Sequence, residues 1–175
     1  MYNNKCDWCD CDRVEGIEDV HKGICKIKEG IKDIREGLEA IVKCCVREGI
    51  KSIKEGLCKI EEGLCCILGG LKDMDYEKDC VGKNEIKRGI CDIKEGIKDV
   101  HKGLELICKG CFCEGIECIR KGLCKIEEGL VDIVDGVKDI INERDIRRRH
   151  IEDVLGEISC EECCECDCDK DHKRC

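Results

Sequence analysis

Proline is absent from this chain of 175 residues, and aromatic side chains are confined to Tyr2, Trp8, Tyr76 and Phe112. With so few aromatics there is little to line a substrate pocket. No apolar run approaches the roughly 18 residues that a membrane span requires. The opening, MYNNKCDWCDCD, has no apolar stretch of the secretory type, so passage through a signal peptide is not expected. Basic excess is missing too: Lys and Arg total 32 against 41 Asp and Glu, a formal charge of -9. A nucleic-acid binder needs a net or local positive field, and this acidic chain offers little of either. Nucleic-acid, membrane and most enzyme readings weaken together.

What the chain does have is cysteine and glycine, 22 and 19 residues respectively. The cysteine content exceeds the ~8–10% at which a short chain reads as a disulfide scaffold or a metal-thiolate protein. Disulfide-rich chains normally belong to oxidising compartments. Without a leader, three settings fit: a cytosolic metal binder, leaderless export, or release by cell lysis.

Glycine recurs every seven residues in four quartets: Gly16, Gly23, Gly30, Gly37; Gly49, Gly56, Gly63, Gly70; Gly89, Gly96, Gly103, Gly110; and Gly115, Gly122, Gly129, Gly136. An offset of 66 brings GICKIKEGIKD at 23–33 onto GICDIKEGIKD at 89–99, and 33 of 51 positions match over 23–73. A tandem duplication is expected, of a unit that is itself doubled at an offset of 33.

Each unit reads as helix. Ile27, Ile31, Ile34, Leu38 and Ile41 step by four and three, the a/d stripe of a coiled-coil-like helix. Asp12 with Glu15 suggests a capping pair, and Asn84 a cap for the third helix. The heptad phase breaks at 43–49 and 109–115, which a hairpin turn explains; a continuous bent helix stays open, because no strong breaker precedes Gly49. The expected fold is all-α: four heptad-repeat helices in two bundle-like hairpins with flexible Cys-rich tails. Its divisions are a tail at 1–12, a first half at 13–74, a connector at 75–83, a second half at 84–142, a C-terminal helix at 143–159 and a tail at 160–175.

A glycine inside a helix costs about 1 kcal/mol relative to alanine. Repeated through four helices, that penalty rivals the stability of an ordinary domain. With Ile at a and d, each glycine falls at g, on the border of the apolar stripe. Drift on a solvated face is one explanation. Close approach of a neighbouring helix, within or between molecules, better explains the regularity. The intervening Lys, Glu and Asp, three or four apart, read as solvated helix pairing.

The cysteines form three sets. Cys25, Cys58, Cys91 and Cys124 each occupy heptad position b, pointing away from the seam. Cys44, Cys45, Cys65, Cys66, Cys80, Cys108, Cys111, Cys113 and Cys118 are assigned to helix ends and turns, where they are expected to brace the fold. Cys6, Cys9 and Cys11, with Cys160, Cys163, Cys164, Cys166, Cys168 and Cys175, lie in the tails and are expected to join molecules. All 22 are candidate cross-linkers, with pairing unreadable from spacing. The rival chemistry is thiolate metal binding, since Cys-x-x-Cys and Cys-x-Cys can share Zn²⁺ or Cu⁺ and His172 can add a nitrogen. The tails lack the paired spacing and small scaffold of a zinc finger, so no metal site and no cofactor are assigned. His21, His101 and His150 complete the histidines; no Ser-His-Asp pattern, phosphate loop or HExxH accompanies them, and no catalytic residue is assigned. Cys6-Asp7-Trp8-Cys9 has a redox-type spacing without the strand–helix context.

CDWCDCD, the Gly/Ile/Lys/Glu helical repeats with single cysteines, and CEECCECDCD resemble together the cysteine-rich exosporium proteins of clostridial spores. That resemblance implies a structural component of the outermost spore layer, made in the mother cell and exposed to oxidants on lysis. It implies partners as well: copies of the chain and other Cys-rich spore-layer proteins, but neither nucleic acid nor membrane.

Overall fold

A computed structural model describes residues 16–73 and 81–163. Four helices make up this part: α1 (Ile17–Val42), α2 (Val46–Asp73), α3 (Val81–Cys108) and α4 (Phe112–Cys163). No strand occurs among the described residues. α1 and α2 form one antiparallel hairpin, α3 and α4 a second. The helices therefore break at 43–45 and 109–111, which closes the question of a continuous bent helix. Two boundaries differ from the sequence reading. α3 begins at Val81, so Asn84 lies inside it and caps nothing. α4 does not end near 142; the separate C-terminal helix expected at 143–159 is its uninterrupted continuation. Asp12 and Glu15 lie outside the described residues. α1 is capped by Gly16, at φ 94°, without a side-chain bond.

Both turns are built alike. In the first, Cys45 N–H donates to Ala40 O at 2.8 Å and Cys44 N–H to Ile41 O at 3.0 Å. In the second, Cys111 N–H donates to Leu106 O at 2.9 Å and Gly110 N–H to Ile107 O at 3.0 Å. This double closure satisfies the last carbonyls of a helix and demands one left-handed residue. Gly110 fills that place at φ 86°, while Cys44 fills it at φ 68° with a β-carbon in the way.

Within each hairpin the contact is glycine on glycine. A β-carbon added at Gly23 would lie 2.5 Å from Gly63 O and 2.6 Å from Ile67 Cγ1. Gly63 mirrors it, 2.6 Å from Gly23 O and 2.7 Å from Ile27 Cγ1. Gly30 with Gly56 and Gly37 with Gly49 repeat the reciprocal pair, and Gly70 meets Gly16 O. In the second hairpin the pairs are Gly82 with Gly136, Gly89 with Gly129, Gly96 with Gly122 and Gly103 with Gly115. Real β-carbons essentially never approach backbone that closely, so only glycine fits. Each glycine directs a Cα–H at the carbonyl of its partner, a weak hydrogen bond of roughly 0.5–1 kcal/mol.

The seam is thus glycine alternating with isoleucine. Ile27, Ile34, Ile53, Ile60 and Ile67 in the first hairpin, and Ile86, Ile93, Ile119, Ile126 and Ile133 in the second, are fully buried. Each fully buried Ile contributes roughly 1.5–3 kcal/mol. The other half of the apolar stripe, including Ile24, Ile31, Leu38, Leu57 and Leu64, stands about 100° round the helix from the glycines. It is buried as well and belongs to one core shared by both hairpins. Arg35, between Ile31 and Leu38, pairs with Glu127 of α4 at 2.6 Å, and His101 of α3 lies 4.0 Å from Glu61 of α2. Those contacts place the Ile/Leu faces of the two hairpins against each other.

The seam separates the glycines by role. Gly30→Ala should lower the unfolding midpoint, with a cost of about 1–3 kcal/mol for forced separation, although alanine is the better helix former. Gly69, around which nothing lies within 4 Å, should respond oppositely, Gly69→Ala gaining about 1 kcal/mol. Denaturant melts of both variants in reducing buffer check this; equal stabilisation would reject close packing.

The turns make a second comparison. Cys44→Gly should stabilise the protein and Gly110→Ala destabilise it, each by about 1 kcal/mol, since a left-handed residue with a β-carbon costs about 1–2 kcal/mol and glycine's freedom returns part of it. The same melts decide.

Candidate functional site

The surface of the two hairpins is set by the heptad. Position b follows the second stripe residue and turns outward, so Cys25, Cys58, Cys91 and Cys124 are exposed, as their phase requires. Cys65, which follows Leu64, holds the same position and is exposed too. With Cys66 it belongs to the set assigned to helix ends and turns, and both lie toward the C-terminal end of α2, away from the hairpin turn. Cys118 likewise sits in the second turn of α4 rather than at the hairpin tip. Cys44 and Cys45, with Cys108, Cys111 and Cys113, do lie at or beside the two turns, and all five are exposed.

The twelve cysteines from Cys25 to Cys66 and from Cys91 to Cys124 are free, ten exposed and Cys66 and Cys118 half-buried. The helical and turn thiols stand outside both packed interfaces. The reason is geometric. The close seam is taken by glycine with isoleucine or valine, and the second stripe is filled by Ile and Leu, so the thiols occupy outward flanks. Cys6, Cys9, Cys11, Cys80, Cys164, Cys166, Cys168 and Cys175 lie outside the described residues. Cys160 and Cys163 fall in the last turns of α4, which extends four residues into the expected tail.

Of the glycines expected to pack, Gly110 is the exception: it makes the turn, with open space around it. Gly82 takes the fourth place on α3 and was missed. Its signal was available, seven residues before Gly89, where the repeat simply extends back one step.

Charges edge the seams rather than gather at a centre. Lys26 donates to Glu62 at 2.7 Å, Lys59 approaches Asp33 at 2.8 Å, and Lys125 approaches Asp99 at 3.0 Å. Arg88 grips Asp132 with two bonds of 2.8 and 3.0 Å. These hydrogen bonds hold the carboxyls of Glu62 and Asp132 below their usual range. They raise Lys26, Lys59 and Lys125 above theirs. Such exposed pairs align helices and contribute little energy individually.

His21 Nδ1 lies 3.9 Å from Cys25 Sγ on the exposed face of α1, an isolated contact with no third partner shown. Among the described residues no group of three or more His, Cys, Asp or Glu side chains is arranged to hold a metal ion. No helix there is long and apolar enough to cross a membrane. What remains is a surface of reactive-atom type without a centre: thiols distributed over both hairpins, on separate helices and both turns. Such a surface can form bonds to other molecules from many directions.

No protein-family model matches the chain, and neither a curated protein nor a solved structure is similar to it.

Native-state alkylation in reducing buffer should separate the thiols by exposure. The ten exposed cysteines should label at rates close to those of an unfolded peptide, and Cys66 and Cys118 more slowly, as mass spectrometry of timed digests would show. Protection of Cys25, Cys58, Cys91 and Cys124 would contradict the outward phase.

Proposed function

We propose that the chain is a structural protein that assembles with copies of itself and is locked by disulfides into an insoluble layer. The observation that carries this reading is the outward placement of unpaired thiols on a body whose core needs none of them. A helical pair held by glycine, isoleucine and backbone contacts leaves its cysteines available for intermolecular bonds. Many thiols per chain, pointing in several directions, suit a network rather than a simple dimer. The tail cysteines add further links, and other Cys-rich proteins are natural partners.

The setting that fits is the outer layer of a bacterial spore, the exosporium. A protein folded in the reducing mother cell would keep its thiols free and acquire its bonds only when lysis exposes it to oxidants. No catalytic role is needed in such a layer, and no catalytic residue is proposed.

Air-oxidised protein on a non-reducing gel should give a ladder of high-mass species that collapses to one band on reduction. Metal content measured on the same sample distinguishes the rival. Several Zn or Cu ions per soluble single chain, with no ladder, would replace the structural reading by thiolate metal binding.

A further inference from the structure

The polar contact between the hairpins is one contact made twice. Arg35 of α1 meets Glu127 of α4, and His101 of α3 meets Glu61 of α2. Offset by 66, Arg35 becomes His101 and Glu61 becomes Glu127. The second pair is therefore the first with the hairpins exchanged, as a two-fold relation between them requires. The buried face follows the same rule. Ile31, Leu38 and Leu64 of the first hairpin recur as Ile97, Leu104 and Leu130 of the second, and all six lie in the shared core. Toward the rim the side chains differ in size, Leu71 standing where the second hairpin has Val137.

Each hairpin thus presents to the other a face that the other also carries. Specificity is a difference of affinities. Here the hairpin on the same chain and the equivalent hairpin of another copy offer the same groups, so the face does not distinguish them. What favours the hairpin on the same chain is proximity, equivalent to a local concentration on the order of millimolar. In a dense layer, where copies stand at a comparable concentration, that advantage disappears.

We infer that this face is a self-pairing surface: where copies are dense, α1–α2 of one copy docks on α1–α2 of a second, and α3–α4 on α3–α4. In that arrangement Arg35 meets Glu61 of the second copy, twice, beside the paired Ile/Leu faces. His101 meets Glu127 of the second copy in the same way. Each chain carries two such hairpins, so the pairing runs on from copy to copy. For its setting, a layer of copies, the inference rests on the assembly proposed above, and it supplies that assembly with a non-covalent surface. The pairing itself needs no thiol. It holds in reducing buffer, where the cross-linking reading makes no claim.

Reversing the charges of one hairpin separates the two modes of pairing. His101→Glu with Glu127→Arg sets Arg35 against Arg and Glu61 against Glu within the chain, while pairing of like hairpins keeps every opposite charge. Arg35→Glu with Glu61→Arg does the same from the first hairpin, and all four substitutions together restore the contacts within the chain. Each reversed contact should shift the balance toward other copies at least about ten-fold at low salt. Light scattering on a sizing column, with the full chain in reductant, reads the result. At about 100 μM, below the millimolar-order advantage of proximity, the parent and the four-fold variant should elute at the mass of one 19.8 kDa chain. Both double variants should elute at twice that mass or more, with helix content unchanged by circular dichroism. A folded double variant no heavier than the parent overturns the proposal. Loss of helix in the double variants counts against it as well, since pairing with another copy should supply each hairpin with a full partner. So does a four-fold variant as heavy as the double ones. The oxidised ladder of the parent is read separately: its absence, with the double variants heavy, overturns the cross-linking function alone.

Discussion

Contact between the backbones of paired glycines is the constraint on which the rest of this molecule depends. At each pair two helices approach until the Cα–H of one residue meets the carbonyl of the other. Nothing larger fits between them. The isoleucines that alternate with these glycines then lie over the partner's backbone and lose all contact with solvent. The arrangement also fixes register. Sliding one helix past the other by a single residue would set an isoleucine side chain against a carbonyl, so each pair enforces the next. The conformational cost of many helical glycines is real, but it is set against a seam that no other residue can form.

That seam dictates the surface. Because the backbones lie so close, side chains from the flanking positions reach across it, and Lys26, Lys59, Arg88 and Lys125 find acidic partners on the facing helix. The remaining apolar stripe is committed to contact between hairpins, where larger Ile and Leu side chains hold the two units in one core. Cysteine has no place in either interface. Its position on the outward flanks follows from what the two interfaces exclude.

The backbone-to-backbone seam ends at Gly136, and beyond it α4 carries Glu143, His150 and Glu157 at the heptad place the glycines held. The close approach of the two helices is therefore confined to the part of α4 that faces α3.

Much of this was legible in the sequence because the heptad is a statement about angle. A residue's place in the repeat set the helical fold, the burial of Ile27 and Ile34, the exposure of Cys25, Cys58, Cys91 and Cys124, and the need for a close neighbour at the glycines. The left-handed turn was less visible: Gly110 continued the seven-residue spacing and so was counted with the packing glycines, while Gly82, one step before the quartet, was left out. Angle along a single helix cannot say which helix is the neighbour or where a hairpin turns. Pairing Gly23 with Gly63, or Gly82 with Gly136, depends on the antiparallel register, and that is set by the length of the turns and by the other seam residues acting together. Nor does a repeat show where its partner helix stops, so the joining of the segments at 84–142 and 143–159 into one unbroken α4 emerged only from the fold. Local periodicity determined what each face of a helix must do; the tertiary structure decided which face it does it with, because contact distance is a property of two segments and not of one.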